Sequence, residues 1–293
     1  MPPEPTLEEI TALVLEEFED RGGERLSPTA YNKILHFVEK QLDDRGIDAD
    51  VPMFWYMFGR VATTNTNPHV SIENTGEGQK VMCAVSPSSV NLSERSQRAV
   101  QNGIDEGLNL YFESDLDGLI RASYDDAPYE AQRVFLDLKD QLESEADQSQ
   151  RTLGDFSANN DQIRSLVYEF IREFPTDEFP EYERDLNKWY RILGAELDSD
   201  DPDFEYVYRL TKRFWQLFCL ELACRENTGL DPNTIANELS SVQMSIDQTK
   251  EELRDWLHRE EKEFTRSAAR DSDAARKAAE VIVAPQLNVE ISS

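Results

Sequence analysis

The side chains with reactive chemistry to offer in this sequence are few and far apart. His36, His69 and His258 stand at no spacing that brings two of them to one metal. Cys83, Cys219 and Cys224 contain no C-x-x-C pair. Cys219 and Cys224 fall five apart on one predicted helix, where small buried hydrophobes are the simpler reading. Acid pairs such as Asp43-Asp44 and Asp125-Asp126 could in principle hold Mg²⁺. In a chain with 59 acidic and 30 basic residues they read as solvated surface. There is no G-x-S-x-G, Walker A, dinucleotide fingerprint or H-E-x-x-H motif. The expectation is therefore no enzyme activity, no cofactor and no metal site.

What remains is the chemistry of recognition. Val51 to Val61 reads Val-Pro-Met-Phe-Trp-Tyr-Met-Phe-Gly-Arg-Val, with four aromatics and two methionines between Pro52 and Gly59. Interfaces favour Trp, Tyr, Phe, Met and Arg, so Trp55, Tyr56, Phe58, Gly59 and Arg60 are candidate partner contacts. A core plug is the simpler reading of so apolar a run. Arg259, Lys262, Arg266 and Arg270 recur on one face of a predicted helix, which admits a nucleic-acid contact. Intrahelical pairing with Glu263 and its acidic neighbours explains that stripe more simply.

The elements that must position these residues are mostly helices. Leu7, Ile10, Val14 and Phe18 keep helical spacing behind a Thr6/Glu9 capping box, and Gly22-Gly23 stops that helix. Ser27-Pro28 starts a second helix, with Tyr31, Ile34, Leu35, Val38 and Leu42 inward and Gly46 at its end. The aromatic run can be a helical turn or an extended segment, closed by Gly59 at positive φ. Val70–Glu73 and Lys80–Val85 predict a hairpin around Asn74-Thr-Gly-Glu-Gly78. Ser93 caps a helix to about Glu106, Asn109–Phe112 reads as a connector, and Ser114 caps a short helix to Ala122. A helix-turn-helix reading of that pair offers two aspartates and one arginine to a polyanion, which is poor DNA-reading chemistry.

In this order the motifs resemble the Panacea (SocA-like) antitoxin domain. The residues that carry the resemblance are Asn32-Lys33-Ile34-Leu35, Tyr56-x-Phe58-Gly59-x-Val61, Leu92-Ser93-Glu94, Leu116-x-x-Leu119, Ser123-Tyr124 and Pro128-Tyr129. They span roughly 27–138. Arg60 stands where that family usually has proline, Tyr124 where it often has histidine, and Tyr129 where it has tryptophan. The resemblance implies a helical domain that binds and neutralises a protein toxin. It adds Tyr124 and Tyr129 to the candidate partner-binding set.

The second half reads as a helical bundle. Its helices carry Ile163 to Phe174, Leu186 to Leu193 and Phe204 to Leu222 as inward stripes, the first capped by Asp161. A long helix is expected from Asp231 to about Val281. Along it Ile235, Leu239, Val242, Ile246, Thr249, Leu253 and Trp256 form a heptad-like seam, either a bundle face or a coiled-coil homo-oligomer interface through 235–256. Leu287, Val289 and Ile291 alternate as in a strand. The polar stretch 148–160 suggests two domains, an antitoxin-like 1–147 and a bundle 148–293. The fold class expected is mainly α, with a small β-hairpin in the first domain and a long C-terminal helix in the second.

The formal charge is −29, with nine lysines against twenty-one arginines. That balance fits a protein adapted to a high-salt cytosol, where carboxylates keep it hydrated and their repulsion is screened. No apolar run is long enough to span a bilayer. An odd cysteine count and no secretory leader pattern predict a cytoplasmic protein. Its predicted partner is a protein, with no membrane; the alternative function is a transcriptional or defence-system regulator contacting nucleic acid, the minority reading.

Overall fold

The structure is a computed structural model that describes residues 4–148, 156–239 and 242–270. In chain order its elements are α1 (Leu7–Asp20), α2 (Pro28–Asp43), β1 (Met53–Tyr56), β2 (Gly59–Ala62), β3 (Val70–Thr75), β4 (Gly78–Cys83), α3 (Glu94–Tyr124), α4 (Glu130–Gln148), α5 (Phe156–Glu173), α6 (Glu183–Leu197), α7 (Phe204–Arg225), α8 (Pro232–Glu238) and α9 (Ile246–Arg270). The protein is mainly α, with two small antiparallel strand pairs among the described residues. No described helix is long and apolar enough to cross a membrane.

The chain divides into two units. The first is Met1–Asp126 with Cys219–Ile246; the second is Ala127–Phe218 with Asp247–Ser293. This differs from the contiguous split expected at 147/148. The polar stretch there does not separate the units, because α4 and α5 on either side of it share one core. Phe135 of α4 meets Phe170 of α5, and it stacks on Trp215 of α7 at 4.1 Å and 14°.

In the first unit α2 is the central helix. Tyr31, Ile34, Leu35, Val38 and Leu42 are buried, against Leu7, Ile10, Val14 and Phe18 of α1 and Val100, Ile104 and Leu108 of α3. Gly103 sets the approach of α3 to α2, since a Cβ there would collide with the backbone of Val38. The Thr6/Glu9 capping box and the Ser27 cap form as the sequence predicts.

The aromatic run is a hairpin, β1–β2, with Tyr56 paired to Gly59 across a two-residue Met57-Phe58 loop. Tight hairpin loops need left-handed residues, and Met57 has φ 39° and Gly59 φ 115°. β1 also has a partner on its outer edge. Trp55 N donates to Glu226 O at 3.0 Å, and Thr228 N to Met53 O at 3.1 Å. The expected second hairpin is β3–β4, in the register Val70 to Cys83, with Gly78 at φ 123°.

Three expectations about helix ends are corrected. Asn109–Phe112 is helical, and the break in α3 falls at Asp115, with φ 63° and ψ −165°. Asp115, not Ser114, restarts the helix: its Oδ1 accepts from Asp117 N at 2.9 Å, while Ser114 Oγ bonds back to Leu110 O. Asp161 lies inside α5 rather than at its cap.

The long C-terminal helix is interrupted. Ile235 lies on α8, which ends at Leu239 with extended φ −88° and ψ 106°. Ile246, Thr249, Leu253 and Trp256 lie on α9. α8 belongs to the first unit and α9 from Asp247 onward to the second, so the heptad-like repeat is not one continuous helical seam within the chain. Val242 and Ser245, weak helix formers, lie between the two helices. The continuation toward Val281 and the alternating tail 281–293 lie outside the described residues.

The second unit is built on aromatics. Phe170 meets Phe174, Trp189 and Phe214 edge-on, and Trp189 stacks on Phe214 at 5.2 Å. α9 buries Leu257 and adds polar contacts to this unit. Arg254 pairs with the buried Asp185 at 2.8 Å and lies over Tyr182, and Arg213 lies over Trp256 at 4.5 Å.

Candidate functional site

Asn32, Lys33, His36, Glu39 and Lys40 recur along α2 on the side toward the first hairpin. The apolar residues between them hold the core, so these polar groups are carried inward with the helix. Lys33 is 2% exposed, and its ammonium donates to the Phe58 carbonyl. Asn32 Oδ1 accepts from Ala62 N at 2.9 Å. From the end of α3, the buried Tyr124 hydroxyl donates to the Met57 carbonyl. Consecutive carbonyls of the hairpin loop are thus held by two side chains 91 positions apart. Gly59 favours glycine because its φ of 115° strains any other residue, and a Cβ there would also displace Lys33 Nζ.

One turn along α2, His36 Nε2 lies 3.3 Å from Asp126 Oδ2, and Lys40 Nζ reaches the same carboxylate at 2.6 Å. Trp55 meets His36 and Tyr124 edge-on, at 6.2 and 6.0 Å. Arg60 pairs with Glu39, its Nη2 donating to Oε1 at 2.7 Å.

Burial dominates the electrostatics. It pushes Lys33 down to about 7. It also lowers His36 to about 4, helped by the Arg60 and Lys33 cations and opposed by Asp126. His36 is therefore neutral at pH 7, its Nε2–H donates to Asp126, and Nδ1 is left buried without a hydrogen-bond partner. Burial lifts Glu39 to about 7 in spite of Arg60. Asp126 feels burial as an upward push, but its bonds to Lys40 and His36 hold it below the usual carboxylate value. Among the described residues, no three His, Cys, Asp or Glu side chains come together in a way that could hold a metal. What the arrangement does chemically is fix a loop conformation: two carbonyls, one arginine and one indole are locked to α2 and α3.

The candidate residues from the sequence divide accordingly. Trp55, Gly59 and Tyr124 are buried and support the loop from below. Arg60, half-buried, is committed to Glu39 inside the unit. Tyr56 and Phe58 are half-buried on the hairpin. Tyr129 belongs to the second unit, where its hydroxyl donates to Glu178 Oε2 at 2.9 Å and its ring meets Phe179. Glu39 was not singled out from sequence; Lys33 entered only within the Asn32–Leu35 motif, and Asp126 only as half of an acid pair that the structure instead joins to His36 and Lys40. The signal on α2 was the i, i+3, i+6 recurrence of Lys33, His36 and Glu39 beside its apolar stripe.

Arg259, Lys262 and Arg266 are exposed on α9, and the spacing puts the exposed Glu252, Asp255 and Glu263 on the same face. That face is mixed in sign rather than basic. The Arg270 side chain lies outside the described residues. Cys219 is buried, as expected of a small hydrophobe, whereas Cys224 is only half-buried. Comparison of the chain with family models, with curated proteins and with solved structures returned no match.

Proposed function

We propose that this chain is a non-enzymatic, cytoplasmic protein-binding module of the antitoxin kind, which neutralises a protein toxin by direct contact. The observation that supports this reading is the convergence of the motifs that resemble the Panacea domain. Lys33 of the first motif, Phe58 and Gly59 of the second, and Ser123-Tyr124 of the fifth meet at the loop of the β1–β2 hairpin. Residues scattered over some 90 positions have a common purpose there, which is to hold one backbone shape. A rigid loop on a helical support suits recognition, because little conformational entropy is then lost on binding. The strongly acidic surface suits a basic partner and a salty cytosol.

The test is co-expression. The product of the reading frame next to this gene is induced alone and together with this chain, and growth is followed. Arrest by the neighbour alone, relieved by this chain and not by an unrelated acidic protein, is the expected result. A neighbour that is harmless, or whose toxicity this chain leaves unchanged, removes the antitoxin reading.

A further inference from the structure

Three rings meet at the far end of α1 from its cap. Phe18 stacks on Phe112 at 5.9 Å and 21°, Tyr111 meets Phe112 edge-on at 5.4 Å, and Tyr111 and Phe18 are 6.0 Å apart. Their burial is graded: Phe18 is in the core, Tyr111 is half-buried and Phe112 is 47% exposed. An exposed phenylalanine normally has free rotation to lose on binding; this one already lies against a core ring. The helices that carry it are tied together one turn away. Arg21 of α1 reaches Asp105 at 2.5 Å and Asn109 at 2.7 Å on α3.

The charge around the rings has one sign. From Ala99 to Ile120 α3 carries Asp105, Glu106, Glu113, Asp115 and Asp117, and no lysine or arginine. Glu113, Asp115 and Asp117 are exposed, as are Glu19 and Asp20, which follow Phe18. The cation set among them, Arg21, is spent on Glu17 and Asp105. A ring face is itself a negative pole. The platform therefore offers a planar cation both a stacking face and carboxylates beside it, and arginine uses both better than lysine does.

We propose that the Phe18–Tyr111–Phe112 platform is a docking surface for an arginine side chain of a basic protein partner. The biological sense of the platform rests on the protein-binding reading above, but its chemistry can be tested without any partner.

The probe is the amidated tripeptide Leu-Arg-Leu, with Leu-citrulline-Leu as its uncharged isostere, titrated into the full chain and followed by amide chemical shifts. The buffer contains 1 M KCl, where the screening length is about 3 Å and diffuse attraction to the acidic surface disappears. The expected result is saturable shifts confined to residues 18–20 and 111–117, at least tenfold weaker with citrulline. Phe112→Leu keeps an apolar side chain but loses the ring, and should weaken binding at least fivefold with an unchanged melting temperature. Phe112→Tyr should retain it. Shifts scattered over the whole acidic surface, no saturation, equal binding of the citrulline peptide, or full affinity in Phe112→Leu would each overturn the proposal. Probe binding with no toxin next door would leave the platform and remove the antitoxin; a neutralised toxin with no probe binding would do the reverse.

Discussion

Replacing Lys33 by methionine should change the pH dependence of stability in a way that can be worked out beforehand. Lys33 is fully buried, and burial lowers its pKa from 10.5 to about 7. In the unfolded chain it titrates near 10.4. Between those values the unfolded state holds the proton and the folded state does not, so stability rises with pH. The cost of charging Lys33 in the core is fully present below pH 7 and is relieved as pH rises toward 10. Integrating the difference from pH 7 to pH 9 gives about 2 kcal/mol. Methionine has a similar length and no charge, so its variant lacks this slope. It also loses the bond to the Phe58 carbonyl, a roughly constant penalty of about 1–3 kcal/mol. The assay is urea unfolding of both proteins at pH 7, 8 and 9 and one ionic strength. Ionisation of unfolded cysteines is common to the two and cancels. The wild type should gain about 2 kcal/mol on Lys33→Met across the window. A difference constant to within about 0.5 kcal/mol would show that Lys33 is not buried as described, and the support for the hairpin loop would fall with it.

Other perturbations follow the same geometry. Arg60→Ala leaves Glu39 buried without its cation and should cost about 2–4 kcal/mol; adding Glu39→Gln should recover part of it, as read by denaturant midpoints, whereas a rim role for Arg60 predicts no loss. A fragment ending at residue 147 lacks Glu226 and Thr228 on the edge of β1 and Glu238, which accepts from Thr64 Oγ1 at 2.7 Å. It should show no cooperative thermal transition by circular dichroism, and a sharp melt equal to that of the full chain would refute the two-part first unit. Gly103→Ala should cost about 1–3 kcal/mol by overpacking against Val38. Gly194→Ala, also helical but facing open space, should stabilise by up to about 1 kcal/mol; the reverse order of their melting temperatures would mean that α3 is not pressed on α2.

Local chemistry was the readable part of this sequence. Thr6 with Glu9, Ser27 with Pro28, and the Asn74–Gly78 turn each contain a whole device within a few residues, and each forms. The aromatic run was legible as something buried but not as a hairpin, because its strands lack alternation: Met53, Phe54 and Trp55 are all buried. A strand covered on both faces and both edges has no polar phase to read. Its second edge partner, Glu226–Thr228, lies more than 160 residues away, and no local pattern announces it. The same long return defeated the domain split at 147/148. The seam from Ile235 to Trp256 misled for the opposite reason, since apolar residues kept their spacing past Leu239, where the backbone turns extended. At the site, Arg60 drew attention as a partner contact by type, and Tyr124 by the resemblance. Whether such residues point outward is decided by what stands opposite, here Glu39 and the Met57 carbonyl.

The most direct measurement is the mass of the complex. This chain and the purified product of the adjacent reading frame are mixed in 2 M KCl and passed over a sizing column with light scattering. The account predicts a single species at the sum of the two masses. Two separate peaks at the masses of the free proteins, from preparations that melt cooperatively, would contradict it.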